Sequence, residues 1–155
     1  MVRLKHRYLL LQILYPDSPQ SLPGSLVFHS PSSDTLTAAS LAKTIRESVV
    51  ELFGDYGAGM TSFSLVVKYL STPTSTAIVR VTRAHYRLVW AACSSLTHIP
   101  DRGRQGMECV IRVVRVSGSI RKAELEAVRR AKEAINIGAG VAIDSEQDVM
   151  DSDED

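Results

Sequence analysis

The chain begins with an alternating run. In residues 2–14, Arg3, Lys5 and Arg7 share one parity, and the same parity turns apolar from Leu9 onward. Side chains two residues apart in a β-strand point to the same face of the sheet. The pattern therefore predicts a first strand with a cationic outer end and a buried inner end.

Helical periodicity follows a stretch that is rich in proline and serine. Residues 15–33 contain four of the six prolines and have no periodicity, which predicts a surface loop insertion. Apolar residues then recur at helical spacing from Leu41 to Leu52, and Gly54 is expected to end that helix. The glycine-rich residues 54–59 predict a connector, because the lysine and hydroxyl of a phosphate-binding loop do not follow them.

Strand periodicity returns in the middle of the chain. Residues 62–70 and 76–82 flank a short turn and predict a β-hairpin. Residues 83–99 predict a second helix, and residues 101–106 predict a charged turn. Residues 107–116 are the run richest in β-branched side chains, which predicts a central strand.

A third helix is predicted after this strand, from Ser119 to about Ile137. Its inward-facing stripe is expected to consist of Leu125, Val128 and Ile135. Residues 138–155 predict an acidic, disordered tail. Residues 1–137 are then expected to form a single domain.

The order of these elements is strand, helix, strand, strand, helix, strand, helix. It predicts an α/β sandwich with a ferredoxin-like (RNA-recognition-like) βαββαβ arrangement. A four-stranded antiparallel sheet would have its helices packed on one face, with an additional C-terminal helix.

Charge is distributed unevenly along the chain. The formal net charge is +1, yet residues 144–155 contain seven acidic residues and no basic one. The remaining 18 basic and 10 acidic residues give residues 1–143 a net charge of +8. A basic body suggests a nucleic-acid partner. The acidic tail is expected either to compete for the basic surface or to aid solubility.

No enzymatic constellation is recognisable. The four histidines are scattered and lack a neighbouring carboxylate or cysteine at ligand spacing, and there is no nucleophile elbow or cofactor loop. Cys93 and Cys109 each lie in an apolar run, as core thiols do. No apolar run approaches the length that crosses a membrane. We expect a soluble intracellular protein with no catalytic residue, metal site or bound cofactor of its own.

The start of the third helix carries the most informative local pattern. Ser119 is a good N-cap, yet Arg121 and Lys122 lie in the first turn, where the helix dipole disfavours cations. A phosphate bound by the backbone amides that follow Gly118 would resolve this conflict. The alternative is an ordinary cap with two solvated cations.

The other cations have two interpretations as well. Lys68 and Arg80 are expected to lie near each other on the sheet, close to the charged end of the first strand. Tyr8 would stack on a base or fill the core. Lysine and arginine at a strand end also protect sheet edges from aggregation.

Five motifs together resemble a known family. They are VRLKHRYLL at 2–10, VKYL at 67–70, IVRV at 78–81, YRLVW at 86–90 and VSGSIR at 116–121. In this order and over roughly residues 1–137, the chain resembles the Rpp-fourteen/Pop-five family of protein subunits of eukaryotic ribonuclease P and ribonuclease MRP. The loop insertion and the acidic tail lie outside the resemblance.

The resemblance implies a non-catalytic subunit of a nuclear and nucleolar ribonucleoprotein. Such a subunit binds the ribonuclease P RNA or the ribonuclease MRP RNA and stabilises it. The RNA, with Mg²⁺ bound to it, removes the 5′ leader of precursor tRNA, and the MRP particle processes precursor rRNA. The implied protein partners are the Rpp-thirty (Rpp-one) type subunit, a paralogous small Pop subunit and the Pop-one scaffold.

Matching positions give the RNA-binding residues that the resemblance implies. They are Arg3, Lys5, His6, Arg7, Tyr8, Lys68, Arg80, Ser117, Gly118, Ser119, Arg121 and Lys122. These cations would neutralise phosphates without reading bases. The alternatives are the paralogous small subunit of the same particles and a ferredoxin-like protein-interaction domain that binds no RNA.

Overall fold

The computed structural model describes residues 3–16, 31–101 and 104–150, with side chains described to Asn136 except at 101 and 104–105. No helix in these ranges is long and apolar enough to cross a membrane. The elements in chain order are β1 (His6–Leu14), α1 (Ala38–Thr61), β2 (Val66–Ser71), β3 (Thr76–Thr82), α2 (Tyr86–Ser95), β4 (His98–Asp101), β5 (Arg104–Glu108), β6 (Val110–Ser117) and α3 (Ile120–Met150).

Four strands form an antiparallel sheet in the order β2-β3-β1-β6, which confirms the predicted ferredoxin-like arrangement. The prediction that β6 lies in the centre of the sheet is wrong, because β6 forms an edge. β1 occupies the interior instead, since its residues Leu9, Leu10 and Leu11 are buried towards both faces. The predicted turn before β6 contributes to a separate two-stranded ribbon, β4-β5.

The sheet is covered on both faces. One face packs Leu9, Leu11 and Val79 against α1 and α2, which supply Ile45 and Val89 to the same core. On the opposite face, Leu10 and Ile78 pack against Ala123 of α3. The prediction that all helices share one face is therefore wrong for α3. The physical reason is that β1 and β3 present apolar side chains on both faces, so each face needs a cover.

The residues of α3 that face the sheet differ from the predicted stripe. Leu125, Val128 and Ile135 are 62%, 51% and 70% exposed. Ala123 is buried instead, and its small side chain lets the helix approach the sheet closely. Val128 and Ile135 line an apolar groove of about 530 Å³ between α3 and the sheet.

Two helix ends also differ from the prediction. α1 continues beyond Gly54, which takes φ +61° and produces a kink instead of a stop. Gly57 permits close packing beyond the kink, because a Cβ there would lie 2.6 Å from Cβ of Phe53. α3 runs to Met150, thirteen residues beyond the predicted end at Ile137. Its glycines weaken a helix without ending it, and no proline follows them.

Hydrogen bonds join the two ends of the predicted loop insertion. The Tyr15 hydroxyl donates to Ser32 Oγ at 2.8 Å, and Ser32 Oγ donates to Ser75 Oγ at 2.9 Å. The Ser32 amide also donates to the Thr72 carbonyl at 2.8 Å. Both ends are thus anchored beside the β2–β3 turn, while residues 17–30 of the insertion lie outside the described residues.

Candidate nucleic-acid interface

Three chain segments meet at one end of the sheet. Because β1 is antiparallel to both of its neighbours, its first residues lie beside the last residues of β3 and β6. His6 pairs with Thr82, and Tyr8 pairs with Ser117. The sheet topology therefore brings the cationic N-terminal segment next to the start of α3, two regions more than a hundred residues apart in sequence.

Arg7 and Gly118 make the closest link between these regions. A Cβ built on Gly118 would lie 3.2 Å from Nη1 of Arg7. The missing side chain thus lets the guanidinium lie against the backbone that leads into α3. A strand cation and the predicted phosphate-binding turn form one surface.

Arg3 and Lys5 extend this surface beyond the strand. β1 begins only at His6, so the predicted alternation does not hold for residues 3–5. The Lys5 carbonyl accepts a hydrogen bond from the Arg83 amide at 2.8 Å. Arg3, Leu4 and Lys5 line a cavity of about 440 Å³ together with residues 82–84. Arg83 thereby adds a cation to the group.

The start of α3 has the predicted composition. The helix begins at Ile120, directly after Ser119, and its first turn contains no acidic residue. Gly118, Ser119, Arg121 and Lys122 are all exposed. The positive end of the helix dipole and two side-chain cations therefore face solvent together, which is an arrangement suited to binding an anion.

A polar row crosses the sheet just behind this surface. Tyr8 of β1 pairs with Arg80 of β3 on one side and with Ser117 of β6 on the other. Among the described residues, Nε of Arg80 and Oγ of Ser117 are buried without a hydrogen-bond partner. Tyr8 packs partly into the apolar cluster beneath α3. Since α3 covers this face, Tyr8 does not lie on an open stacking platform of the RNA-recognition type.

Lys68 lies on the strand that pairs with the strand of Arg80, as predicted, but it lies apart from the other candidates and from the first strand. It is exposed on the edge strand β2, at a register irregularity between Val67 and Tyr69. β3 separates this strand from β1. The structure therefore brings together all the predicted site residues except Lys68.

An arginine cluster around Glu126 was missed in the sequence. The Glu126 carboxylate accepts hydrogen bonds from Arg115, Arg129 and Arg130 at 2.6–3.2 Å. Hydrogen bonds from Arg129 and then Arg130 lower the pKa of Glu126 to about 2, against the opposing effect of burial. Glu126 is three and four residues before Arg129 and Arg130, a spacing that predicts side-chain pairs on a helix. No sequence spacing predicts that Arg115, which lies on a strand, joins them.

Neither a metal centre nor a reactive thiol is found among the described residues. No group of three or more histidine, cysteine or acidic side chains among them is arranged to hold a metal ion. Burial raises the pKa of the Cys93 thiol to about 12 and that of Cys109 to about 11. Both thiols are therefore protonated at neutral pH and are poor nucleophiles.

Comparisons with known proteins identify the family of this chain. The model of the Rpp14/Pop5 family matches residues 7–128. The chain is 46% identical to the ribonuclease P/MRP protein subunit POP5 of Schizosaccharomyces pombe, over 88% of this chain and 92% of the relative. It is 35% identical to the Saccharomyces cerevisiae subunit of the same name, over 88% and 81%.

A solved structure supports the fold independently. A chain in the cryo-EM structure of yeast ribonuclease MRP superposes with a TM-score of 0.51 at 14% identity, covering 90% of this chain and 98% of that one. At that identity the match concerns the fold alone. The family model spans most of the chain, and the two relatives are covered over 92% and 81% of their length. The chain therefore belongs to the Rpp14/Pop5 family.

Proposed function

We propose that this chain is a protein subunit of ribonuclease P and ribonuclease MRP, in which it binds and stabilises the RNA. The observation that carries the proposal is the joining of Arg7 to the Gly118 turn, which unites the strand cations and the start of α3. Its membership of the Rpp14/Pop5 family, whose relatives are named ribonuclease P/MRP subunits, supports the same role.

The mechanism is electrostatic and architectural. Phosphates of adjoining RNA segments repel one another, and the cations at Arg3, Lys5, Arg7, Arg121 and Lys122 reduce that repulsion. RNA bound there would be held through its backbone, with no base-specific reading. Unsatisfied buried donors cost about 1–3 kcal/mol each. The buried Arg80–Ser117 row bears this cost beneath α3, behind the surface that the RNA would contact.

In this proposal the protein is not the catalyst. The RNA, with its own Mg²⁺ ions, removes the 5′ leader of precursor tRNA and processes precursor rRNA. The protein supplies cations that lower the Mg²⁺ concentration needed for the active RNA fold. The precursor tRNA is contacted only indirectly, and the particle is nuclear and nucleolar.

The protein partners that we propose are an Rpp-thirty (Rpp-one) type subunit, the paralogous small Pop subunit and the Pop-one scaffold. Their contact surface would include the aromatic pair on α2. The ring centroids of Tyr86 and Trp90 are 6.5 Å apart, and Trp90 is 42% exposed. A large, partly exposed aromatic residue beside a packed ring is typical of a protein–protein anchor.

The decisive experiment is capture of the full chain from a nuclear extract, followed by sequencing of the co-purified RNA. We expect ribonuclease P and MRP RNAs with the wild-type chain, and their loss with Lys5→Glu, Arg7→Glu and Arg121→Glu combined. Binding through several phosphates should also weaken steeply with rising salt.

The competing function is a protein-interaction domain that binds no RNA. The exposed aromatic residue on α2 is the observation that favours it. Recovery of protein partners without RNA above background, and unchanged by the triple charge reversal, would establish this alternative and refute the RNA-binding role.

A further inference from the structure

A buried carboxylate fixes an arginine at the seam between β6 and α3. The Glu126 side chain is 10% exposed, and its Oε2 accepts from Nη1 of Arg115 at 3.2 Å. The same carboxylate accepts three more hydrogen bonds from Arg129 and Arg130. A carboxylate has about four acceptor sites. The acceptor capacity of Glu126 is therefore filled, and it holds Arg115 in a defined position.

The cluster retains an excess of positive charge. Three guanidinium groups face two carboxylates, since Glu133 also pairs with Arg129. Within the described residues, Arg115 donates only through Nη1, and its side chain is 48% exposed. Arginine has five N–H donors in a planar fork that matches phosphate geometry. Most of the Arg115 donors therefore remain available to an anion from solvent.

The position of Arg115 connects this cluster with the candidate RNA interface. In the sheet, Arg115 pairs with Leu10 and Ser117 pairs with Tyr8. Since Leu10 and Tyr8 lie on the face covered by α3, Arg115 and Ser117 share that face, roughly 7 Å apart at two residues of strand rise. Arg115 therefore lies on the same face as Ser117 and extends the cationic surface from the Gly118 turn along β6.

We propose that Arg115 is a further phosphate-contacting residue of the RNA interface and that Glu126 is its positioning residue. The inference rests on the proposed RNA-binding function. A guanidinium that is already held in place loses less side-chain freedom on binding, so its contact with a phosphate is more favourable than that of a free surface arginine.

The test compares Arg115→Gln with Lys43→Gln. Lys43 is an exposed cation on α1, the helix on the opposite face of the sheet, and its loss changes the charge equally. Binding of a ribonuclease P RNA to the full chain would be measured from 50 to 300 mM salt. We expect Arg115→Gln to weaken binding about five- to tenfold and to reduce the salt slope by roughly 0.7–0.9, and Lys43→Gln to do neither.

The outcomes separate this proposal from the proposed function. Unchanged affinity and slope in Arg115→Gln, with binding still lost in the triple charge reversal, would overturn the Arg115 contact alone. Unchanged RNA binding in both Arg115→Gln and the triple charge reversal would refute RNA binding through this surface altogether.

A measurement on the wild-type chain covers the case in which Arg115→Gln folds poorly. The Nε–H resonances of the arginines would be followed by NMR while oligouridylate is added. We expect the Arg115 signal to shift and that of Arg46, which donates to the Leu65 carbonyl, to stay in place. An unmoved Arg115 signal under saturating RNA would overturn the proposal.

Discussion

The guanidinium of Arg7 lies against the bare Cα of Gly118, with Nη1 only 3.2 Å from where a Cβ would stand. Gly118→Ala should therefore displace the tip of a flexible side chain without straining the backbone. We expect a stability change within about 0.5 kcal/mol and RNA affinity reduced about threefold. Thermal unfolding and filter binding would measure both. Gly59→Ala, the same change in α1 where an added Cβ would meet nothing within 4 Å, is the comparison that leaves Arg7 and the candidate interface in place. Equal affinities of Gly118→Ala and the wild type would contradict the role of this contact.

Glu126 should make stability depend on acidic pH. Its pKa of about 2 lies below the ordinary value of 4.5, so its ionised form stabilises the fold above pH 4.5. That contribution is lost as pH falls from 4.5 towards 2. Glu126→Gln should cost about 1 kcal/mol at pH 7, since the half-exposed arginines are screened by solvent, and clearly less near pH 2. Urea unfolding of the wild type, of Glu126→Gln and of the control Glu124→Gln across pH 2–7 would measure the free energy of unfolding. A difference between wild type and Glu126→Gln that does not shrink on acidification would contradict the stabilising role of the Glu126 carboxylate.

Ala123 and Leu125 distinguish the observed orientation of α3 from the one expected from apolar periodicity. Ala123 is fully buried against Leu10 and Ile78, so Ala123→Leu should destabilise the fold by about 1–3 kcal/mol. Leu125 is 62% exposed, so Leu125→Ala should change stability by less than about 0.5 kcal/mol. Urea unfolding measures both. The reverse order of effects would mean that α3 packs through the other side.

Trp90 is expected to anchor a protein partner. Trp90→Ala should weaken binding of the Rpp-thirty type subunit by roughly 30-fold, as loss of an interface anchor does, and leave RNA affinity within about twofold. Phe63→Ala is the matched control, because Phe63 is 95% exposed and follows α1 without packing into the core. Isothermal titration calorimetry with the purified partner would measure the affinity of both variants. Equal losses of partner affinity in Trp90→Ala and Phe63→Ala would contradict a specific role of Trp90 and indicate a general effect of removing surface aromatic side chains.

Local sequence patterns predicted much of the fold. β3 begins and ends as expected at Thr76 and Thr82. The alternation placed Ala77, Val79 and Val81 together on one buried face, although Ile78 on the other face is buried as well. The order of the elements predicted the ferredoxin-like antiparallel sheet, but the β-rich run of β6 was wrongly expected in its centre. Most of the candidate interface could also be predicted from the sequence, since the unfavourable placement of cations such as Arg121 at the positive end of the helix dipole is visible without coordinates.

Other features depend on contacts that a linear pattern does not contain. Gly54 reads as a helix stop, yet packing of Gly57 against Phe53 and Val49 sustains the helix beyond the kink. Ala123 is a weak apolar signal beside Leu125, but its small size is what permits close approach of α3 to the sheet. Arg115 belongs to its cluster only because the chain folds α3 back over β6.

The hydrogen bonds from Tyr15 through Ser32 to Ser75 make the stability of the fold nearly independent of the length of the insertion. Closing a flexible loop costs entropy that grows only logarithmically with the number of residues, about 0.6 kcal/mol for each doubling. Because these hydrogen bonds fix both described ends, chain added or removed between Pro16 and Pro31 is expected to change at most that small term and to leave the sheet register untouched. The insertion is therefore a thermodynamically permissive site, where sequence length can drift during evolution at almost no energetic penalty.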